Sequence, residues 1–109
     1  KLLTRNGVVV LASFISPYNE IREYSRNQIG DYILVYVKCP LQVCEDRDVK
    51  GMYAKARAGE IKKFTGIDHP FEEPDNADIV VETDKQTVEE SKAILLDALE
   101  KMGYLDNSR

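Results

Sequence analysis

Two apolar runs, each followed by a proline, constrain the fold of this chain more than any other feature. The first covers residues 7–15 (GVVVLASFI) and the second covers residues 32–38 (YILVYVK). Runs rich in β-branched residues and without polar alternation are typical of strands buried on both faces of a parallel sheet. Pro17 and Pro40 follow the runs, and proline suits the first position of a helix, with Ser16 as an N-cap in the first case. The sequence therefore predicts two consecutive strand–turn–helix units.

The same alternation continues to the end of the chain. Residues 51–58 resemble a short Ala-rich helix ended by Gly59, and residues 79–82 (IVVE) a third strand. Thr87–Glu90 forms a capping box that begins a terminal helix ending at Gly103. Strands alternating with helices predict right-handed crossovers and an α/β fold with a parallel sheet. The apolar stripe of the terminal helix comprises Val88, Leu95, Leu99 and Met102.

Composition narrows the class of protein. With 109 residues, the chain is at most one small domain. The net charge of −4 argues against general binding to nucleic acid or to anionic membranes, and no apolar run is long enough to span a bilayer. The chain has two cysteines, Cys39 and Cys44, and a single histidine, His69, which do not form a metal-binding Cys or His cluster in the sequence. We therefore expect a cytoplasmic protein with reduced thiols, whose cysteines pack in the interior and whose His69 is a loop residue.

One segment stands out by its charge. Residues 47–68 hold six of the fifteen Lys and Arg residues and three of the nineteen acids, so the segment is +3 and the remainder −7. A cationic segment on an anionic body indicates where an anion binds, and its three glycines allow hinging. Such a segment suits a flap that closes over phosphates and excludes water, although a solvated surface helix and loop is the alternative. We call residues 47–68 the lid.

Three stretches resemble one known family. SFISPY (13–18), the run from CPLQVCEDRDVKGMYAKARAGE to IKKFTGID (39–68), and VVETD (80–84) are similar to the C-terminal two-thirds of adenylylsulfate kinase. The resemblance covers about residues 2–105. It implies a P-loop-kinase-like, three-layer α/β/α fold with a parallel sheet, incomplete here. It also implies transfer of the γ-phosphate of ATP to the 3′-hydroxyl of adenosine 5′-phosphosulfate (APS) in sulfate assimilation.

The resemblance places the sulfated substrate on a turn and on the lid. By resemblance, Ser16 lies in the turn that contacts this substrate. A phosphoserine role is sometimes described for the family at this position. No candidate base lies near Ser16 in the sequence, and a helix N-cap with a hydrogen bond to the substrate explains the residue more simply. Phe64 matches an aromatic residue that stacks on the adenine of APS, with an anchor for the lid as the alternative. Lys50 matches a substrate-contacting lysine, whereas Lys63 stands where the family often has glycine. The implied substrate-binding residues are Ile15, Ser16, Lys50, Lys63 and Phe64.

The resemblance assigns a second group of residues to ATP. Arg47 corresponds to an arginine that lies against the adenine, with an ion pair to Asp46 or Asp48 as the alternative. Lys55 and Arg57 are two residues apart on a short helix, so they point in different directions, and one of them would reach the transferring oxygens. The loop at 83–86 would hold the adenine largely through its backbone, so its side chains should tolerate substitution. The implied ATP-binding residues are Arg47, Lys55, Arg57, Thr83, Gln86 and Ser91.

The chain departs from the family in what it lacks. It contains no G-x-x-x-x-G-K-[ST] motif and no match for the acidic motif that helps to place Mg²⁺. We expect the P-loop strand, the acidic-motif strand and most of the Mg²⁺ site to precede Lys1, and a verified 109-residue chain to be inactive alone. In the family's sheet the P-loop strand lies between the strands matched by 7–15 and 32–38, so its removal would leave unpaired edges.

Two other functions remain open at this point. One is a non-catalytic regulatory nucleotide-binding domain of a fused sulfate adenylyltransferase, although the intact lid argues against it. The other is a different small-molecule P-loop kinase. By resemblance, the partners would be ATP with Mg²⁺, APS, a second copy in a homodimer, and a sulfate adenylyltransferase in fused relatives.

Overall fold

The structure, a computed structural model, describes residues 5–67 and 70–105. Residues 1–6 (KLLTRN) are predicted from the sequence to end a helix, with Asn6-Gly7 as its stop, and residues 1–4 of that prediction lie outside the described residues, as do His69 and the last residue of the lid. Gly7, the predicted helix stop, has a φ of +74°. In chain order the elements are α1 (Asn19–Ile29), β1 (Val35–Lys38), α2 (Leu41–Arg47), α3 (Met52–Arg57), β2 (Ile79–Glu82) and α4 (Val88–Lys101).

A small parallel sheet confirms the predicted class of fold. Strands β1 and β2 pair in parallel, with Val35 opposite Ile79 and Lys38 opposite Glu82. The Asp78 carboxylate accepts a 2.7 Å hydrogen bond from the Leu34 amide just before β1. The predicted strand at 79–82 is confirmed, and the strand predicted at 32–38 is shortened to its last four residues.

The predicted strand at residues 7–15 is wrong within the described chain. This segment forms neither helix nor strand, and Val9, Leu11 and Phe14 are 85%, 91% and 82% exposed. An apolar run becomes a strand only when a neighbouring strand pairs with its backbone. Among the described residues, the sheet consists of β1 and β2, and neither pairs with this run.

The turn before α1 also differs from the prediction. The helix begins at Asn19, and its N-cap is Tyr18 rather than Ser16. Ser16 has a φ of +39°, which lies in the left-handed region and not in the extended conformation of an N-cap. Apolar residues Ile21, Tyr24 and Ile29 at helical spacing predict a helix that ends at Gly30, and Gly30 does close the helix, with a φ of +84°.

The chain divides into two units. The first comprises Lys1–Ile33 and Asp48–Asn76, and the second comprises Leu34–Arg47 and Ala77–Arg109. In the first, Ala56 of α3 is buried, as is the charged residue Arg22 of α1. In the second, α4 packs on β2, where Ile79 and Val81 are buried.

The terminal helix forms as its capping box predicts. Thr87 Oγ1 accepts from the Glu90 amide at 3.1 Å, and Glu90 Oε1 accepts from the Thr87 amide at 3.2 Å. The predicted apolar stripe is wrong at its two ends, Val88 and Met102, which are 83% and 43% exposed. A strand of four residues spans about 13 Å, whereas a helix of fourteen spans about 21 Å, so β2 cannot cover both helix ends.

Candidate functional site

A turn at Ile15 and Ser16 forms the first part of the site, in the first unit. Ile15 is 63% exposed, and the Ser16 carbonyl accepts a 2.8 Å hydrogen bond from Arg22 Nε. In the part of the chain that the structure describes, the Ser16 hydroxyl has no hydrogen-bond partner. The turn is thus held through its backbone while an apolar side chain and a hydroxyl are available to a ligand.

The lid begins with a turn organised by Asp48. Its carboxylate accepts from the amides of Tyr53 at 3.0 Å and Ala54 at 3.1 Å, so it caps α3 from four residues before the helix. The Asp48 carbonyl accepts from the Gly51 amide at 2.9 Å. This closed turn presents Lys50, which is exposed and has no acidic partner among residues 5–67 and 70–105. An unpaired ammonium on a braced turn suits a phosphate or sulfate group.

Phe64 lies near the end of the lid and contacts another lid residue. Its ring meets that of Tyr53 edge-to-face, with 5.0 Å between centroids. The contact resembles the anchoring alternative, and stacking on an adenine stays a prediction. Lys63, next to it, is exposed and has a φ of +58°. Since the left-handed region favours glycine, this backbone accounts for the family's frequent glycine at the position.

Helix α3 carries the two cations that the resemblance assigns to ATP phosphates. Lys55 and Arg57 are both exposed, and Ala56 between them is 5% exposed. The helix therefore packs through Ala56, while the two cations that flank it in sequence are exposed to solvent.

In the second unit, Arg47 is fixed by a backbone oxygen. Its Nη2 donates to the Thr83 carbonyl at 2.7 Å. The ion pair with Asp46 or Asp48 is not observed, because Asp46 accepts from Gln42 Nε2 at 3.0 Å and Asp48 caps α3. The bond brings the predicted adenine arginine onto the loop predicted to hold the adenine.

That loop is braced by Gln86. Its Oε1 accepts from the Glu82 amide at 3.1 Å and from Ser91 Oγ at 3.2 Å. The predicted tolerance of the side chains at 83–86 and Ser91 to substitution stays a prediction, and these contacts give Gln86 and Ser91 a structural role in the loop. Polar side chains that satisfy backbone groups fix the loop conformation.

Two residues that hold the backbone of the site, Asp48 and Arg22, were not identified from the sequence. An Asp before a Gly and an Ala-rich helix is a capping signal that could have identified Asp48. Arg22 carries no such signal, because an arginine on an amphipathic helix normally faces solvent.

The described residues contain no assembled metal-binding cluster. Within residues 5–67 and 70–105, no group of three or more His, Cys, Asp or Glu side chains could hold a metal ion. Cys39 and Cys44 are half-buried free thiols, and Cys44 Sγ lies 4.0 Å from the Cys39 carbonyl. No helix in the same ranges has the length and apolar character to cross a bilayer.

Comparison with known proteins places the chain among kinases. The family model for adenylylsulphate kinase matches residues 1–82. The adenylyl-sulfate kinase of Halothermothrix orenii is 58% identical over 106 residues, covering 97% of this chain and 57% of the relative. That of Microcystis aeruginosa is 58% identical over 104 residues, covering 95% and 58%. The chain thus spans less than two thirds of the relatives it matches.

A solved structure shares the fold. The Mycobacterium tuberculosis APS kinase CysC, in complex with AMPPNP and APS, matches with a TM-score of 0.79 and 44% identity, over 91% of this chain and 59% of that one. The match confirms the predicted P-loop-kinase-like α/β fold, of which this chain holds a part.

Proposed function

The chain belongs to the adenylylsulfate kinase family, and we propose that it supplies the substrate turn, the lid and the ATP-adenine loop of such an enzyme. The whole protein would transfer the γ-phosphate of ATP to the 3′-hydroxyl of APS, giving 3′-phosphoadenosine 5′-phosphosulfate for sulfate assimilation. The observation that carries the proposal is the fold shared over 91% of the chain with a kinase solved with AMPPNP and APS.

The first unit would receive the sulfated nucleotide. The Ser16 hydroxyl and Ile15 would contact it at the turn, and Lys50 would offer a positive charge to its sulfate or phosphate oxygens. Phe64 would stack on its adenine. Among the described residues no side chain accepts a hydrogen bond from the Ser16 hydroxyl, so no base is positioned to activate it, and we assign it hydrogen bonding to the substrate rather than a phosphoserine intermediate.

The second unit would hold the adenine of ATP. Arg47, fixed by the Thr83 carbonyl, offers a flat cationic face to a purine. Gln86 and Ser91 keep the loop in shape behind it. The adenine would then be recognised by the loop backbone and the guanidinium together.

Phosphoryl transfer itself needs charge neutralisation. The bond between the γ-phosphorus and the β–γ bridging oxygen breaks, a new bond to the 3′-oxygen forms, the hydroxyl proton is released, and ADP leaves. Positive side chains such as Lys55 and Arg57 stabilise the charge that spreads over the transferring oxygens. Mg²⁺ would neutralise the ATP phosphates, and the described residues contain no group of three or more His, Cys, Asp or Glu side chains that could hold it.

The proposal is tested by labelling and by one substitution. The whole protein should transfer ³²P from γ-labelled ATP to APS, and an absence of labelled product would refute the function. Phe64→Ala should weaken APS binding by about 1–3 kcal/mol, the value of base–aromatic stacking, and leave AMPPNP binding unchanged. Tyr24→Ala, which removes a 66% exposed ring of the same unit, is the matched control. Unchanged APS affinity in Phe64→Ala would remove the stacking role.

Three further assignments accompany the function. We propose a cytoplasmic location, where ATP and reduced thiols are both present. The homodimer and the fusion to a sulfate adenylyltransferase stay predictions.

A further inference from the structure

Arg22 is a buried charge that the proposed function does not use. It is 4% exposed, and its three guanidinium hydrogen bonds end on neutral oxygens: Ser16 O at 2.8 Å, Asn19 Oδ1 at 2.7 Å and Glu72 O at 2.7 Å. The guanidinium carbon lies 5.0 Å from the centroid of the Phe71 ring. A buried arginine is rare without a structural or functional reason, because its desolvation is costly.

These contacts join two segments that are far apart in sequence. Ser16 belongs to the substrate turn, and Phe71 and Glu72 follow the lid. The junction is reinforced by backbone, since the Glu72 amide donates to the Pro17 carbonyl at 2.8 Å. The Glu72 carboxylate also accepts from the Asn19 amide at 3.0 Å, so a residue beyond the lid caps α1. The carboxylate of Glu72 is therefore used as a helix cap, and Arg22 takes the carbonyl instead.

The conformation of the turn explains why such a clamp is needed. Ser16 has a φ of +39°, which side-chain-bearing residues rarely adopt. A strained conformation persists only where its surroundings fix it, and such conformations concentrate at ligand-binding positions. Arg22 Nε fixes the carbonyl of that same residue and leaves its hydroxyl available.

We propose that Arg22 is a positioning residue for the sulfated substrate, which clamps the Ser16 turn to the segment that follows the lid. The inference rests on the proposed function for the identity of the substrate. The clamp depends on the planar fork of the guanidinium, which reaches three oxygens in different directions. A lysine at this position keeps the charge but offers a single ammonium, so it cannot hold all three.

The test combines kinetics with hydrogen exchange in the whole protein. In Arg22→Met and Arg22→Lys alike, the KM for APS should rise by about tenfold or more, the effect of losing a charged hydrogen-bonding group at a binding turn, with the KM for ATP within about twofold. Exchange of the Glu72 amide should accelerate in both variants without ligand. Arg26→Met is the matched control: Arg26 lies one turn further along α1 and donates to Asn76 O, and its loss should leave both readouts unchanged.

The outcomes separate the inference from the function it rests on. If the wild-type protein phosphorylates APS and Arg22→Lys behaves as wild type, charge alone suffices and the clamp is refuted. Equal increases in both KM values, or unchanged Glu72 exchange in Arg22→Met, would refute it as well. If the wild-type protein does not phosphorylate APS, the proposed function and the substrate part of the inference fall together, while the exchange measurement still decides whether Arg22 holds the turn.

Discussion

Replacement of Asp48 should loosen the first helix of the lid in a graded way. The Asp48 carboxylate accepts from two amides of α3, and its own backbone has a φ of +24°. It therefore stabilises the helix with its side chain and carries strain in its backbone. Substitutions that separate the two effects give a predicted order of stability.

The expected losses in the stability of α3 follow from the two hydrogen bonds of the cap and from the backbone strain at Asp48. Asp48→Ala loses both hydrogen bonds and keeps a Cβ at positive φ, so we expect α3 to lose about 2 kcal/mol, the upper end for loss of a cap. Asp48→Gly loses the same bonds but relieves about 1 kcal/mol of strain, which leaves a net loss of about 1 kcal/mol. Asp48→Asn keeps one acceptor oxygen and tolerates positive φ, and loses about 0.5 kcal/mol of interaction with the helix dipole.

Native-state hydrogen exchange measures this directly. The amides of Lys55 and Ala58 donate to the carbonyls of Gly51 and Ala54, so their protection reports opening of α3. Protection should fall about 30-fold in Asp48→Ala, about fivefold in Asp48→Gly and about twofold in Asp48→Asn, since 1.4 kcal/mol corresponds to a factor of ten.

The control is a neighbouring acid with a different role. Among the described residues, the Asp46 carboxylate accepts only from the exposed Gln42 side chain, so Asp46→Ala should change protection in α3 by less than about twofold. Protection in Asp48→Ala equal to wild type would refute the capping role, and an Asp48→Gly variant less protected than Asp48→Ala would refute the strain.

Two further predictions concern the second unit. Thr87→Ala removes half of the capping box and should destabilise α4 by about 1 kcal/mol, read as faster exchange of the Glu90 amide; wild-type exchange would show that the box contributes nothing. Gln86→Met leaves the Glu82 amide and the Ser91 hydroxyl without their shared acceptor, so AMPPNP should bind about five- to tenfold more weakly while APS binding is retained. Equal affinity for AMPPNP in the variant would contradict this and show that the loop acts through its backbone alone.

The sequence predicted those elements whose signals are local. The capping box at Thr87 and the positive-φ glycine at Gly30 each act within a few residues, and both form as expected. The strand at 79–82 also forms as predicted from its run of β-branched residues.

Signals that depend on distant partners were misjudged. The apolar run at 7–15 has the composition of a strand, yet composition cannot supply the neighbour that a strand needs. Ser16-Pro17 looks like a helix start, but Arg22 holds the Ser16 carbonyl and the helix begins at Asn19.

The residues of the candidate site also separate into those that a motif identifies and those that only the three-dimensional structure identifies. Lys50 and Arg47 were assigned by motif, and the structure leaves the first without an acidic partner among the described residues and fixes the second on Thr83. The roles of Arg22 and Asp48 depend on geometry, because both act on backbone groups that a motif does not reveal.

The exposed run from Val8 to Ile15 has a practical consequence for anyone who expresses these 109 residues. An extended segment with apolar side chains and unpaired backbone N–H and C=O groups is a template for cross-β pairing between molecules. We expect such a polypeptide to be captured by chaperones and proteases in the cell and to aggregate at high concentration in solution. A charged residue placed at Val9 or Leu11 would serve as a gatekeeper and keep the preparation monomeric.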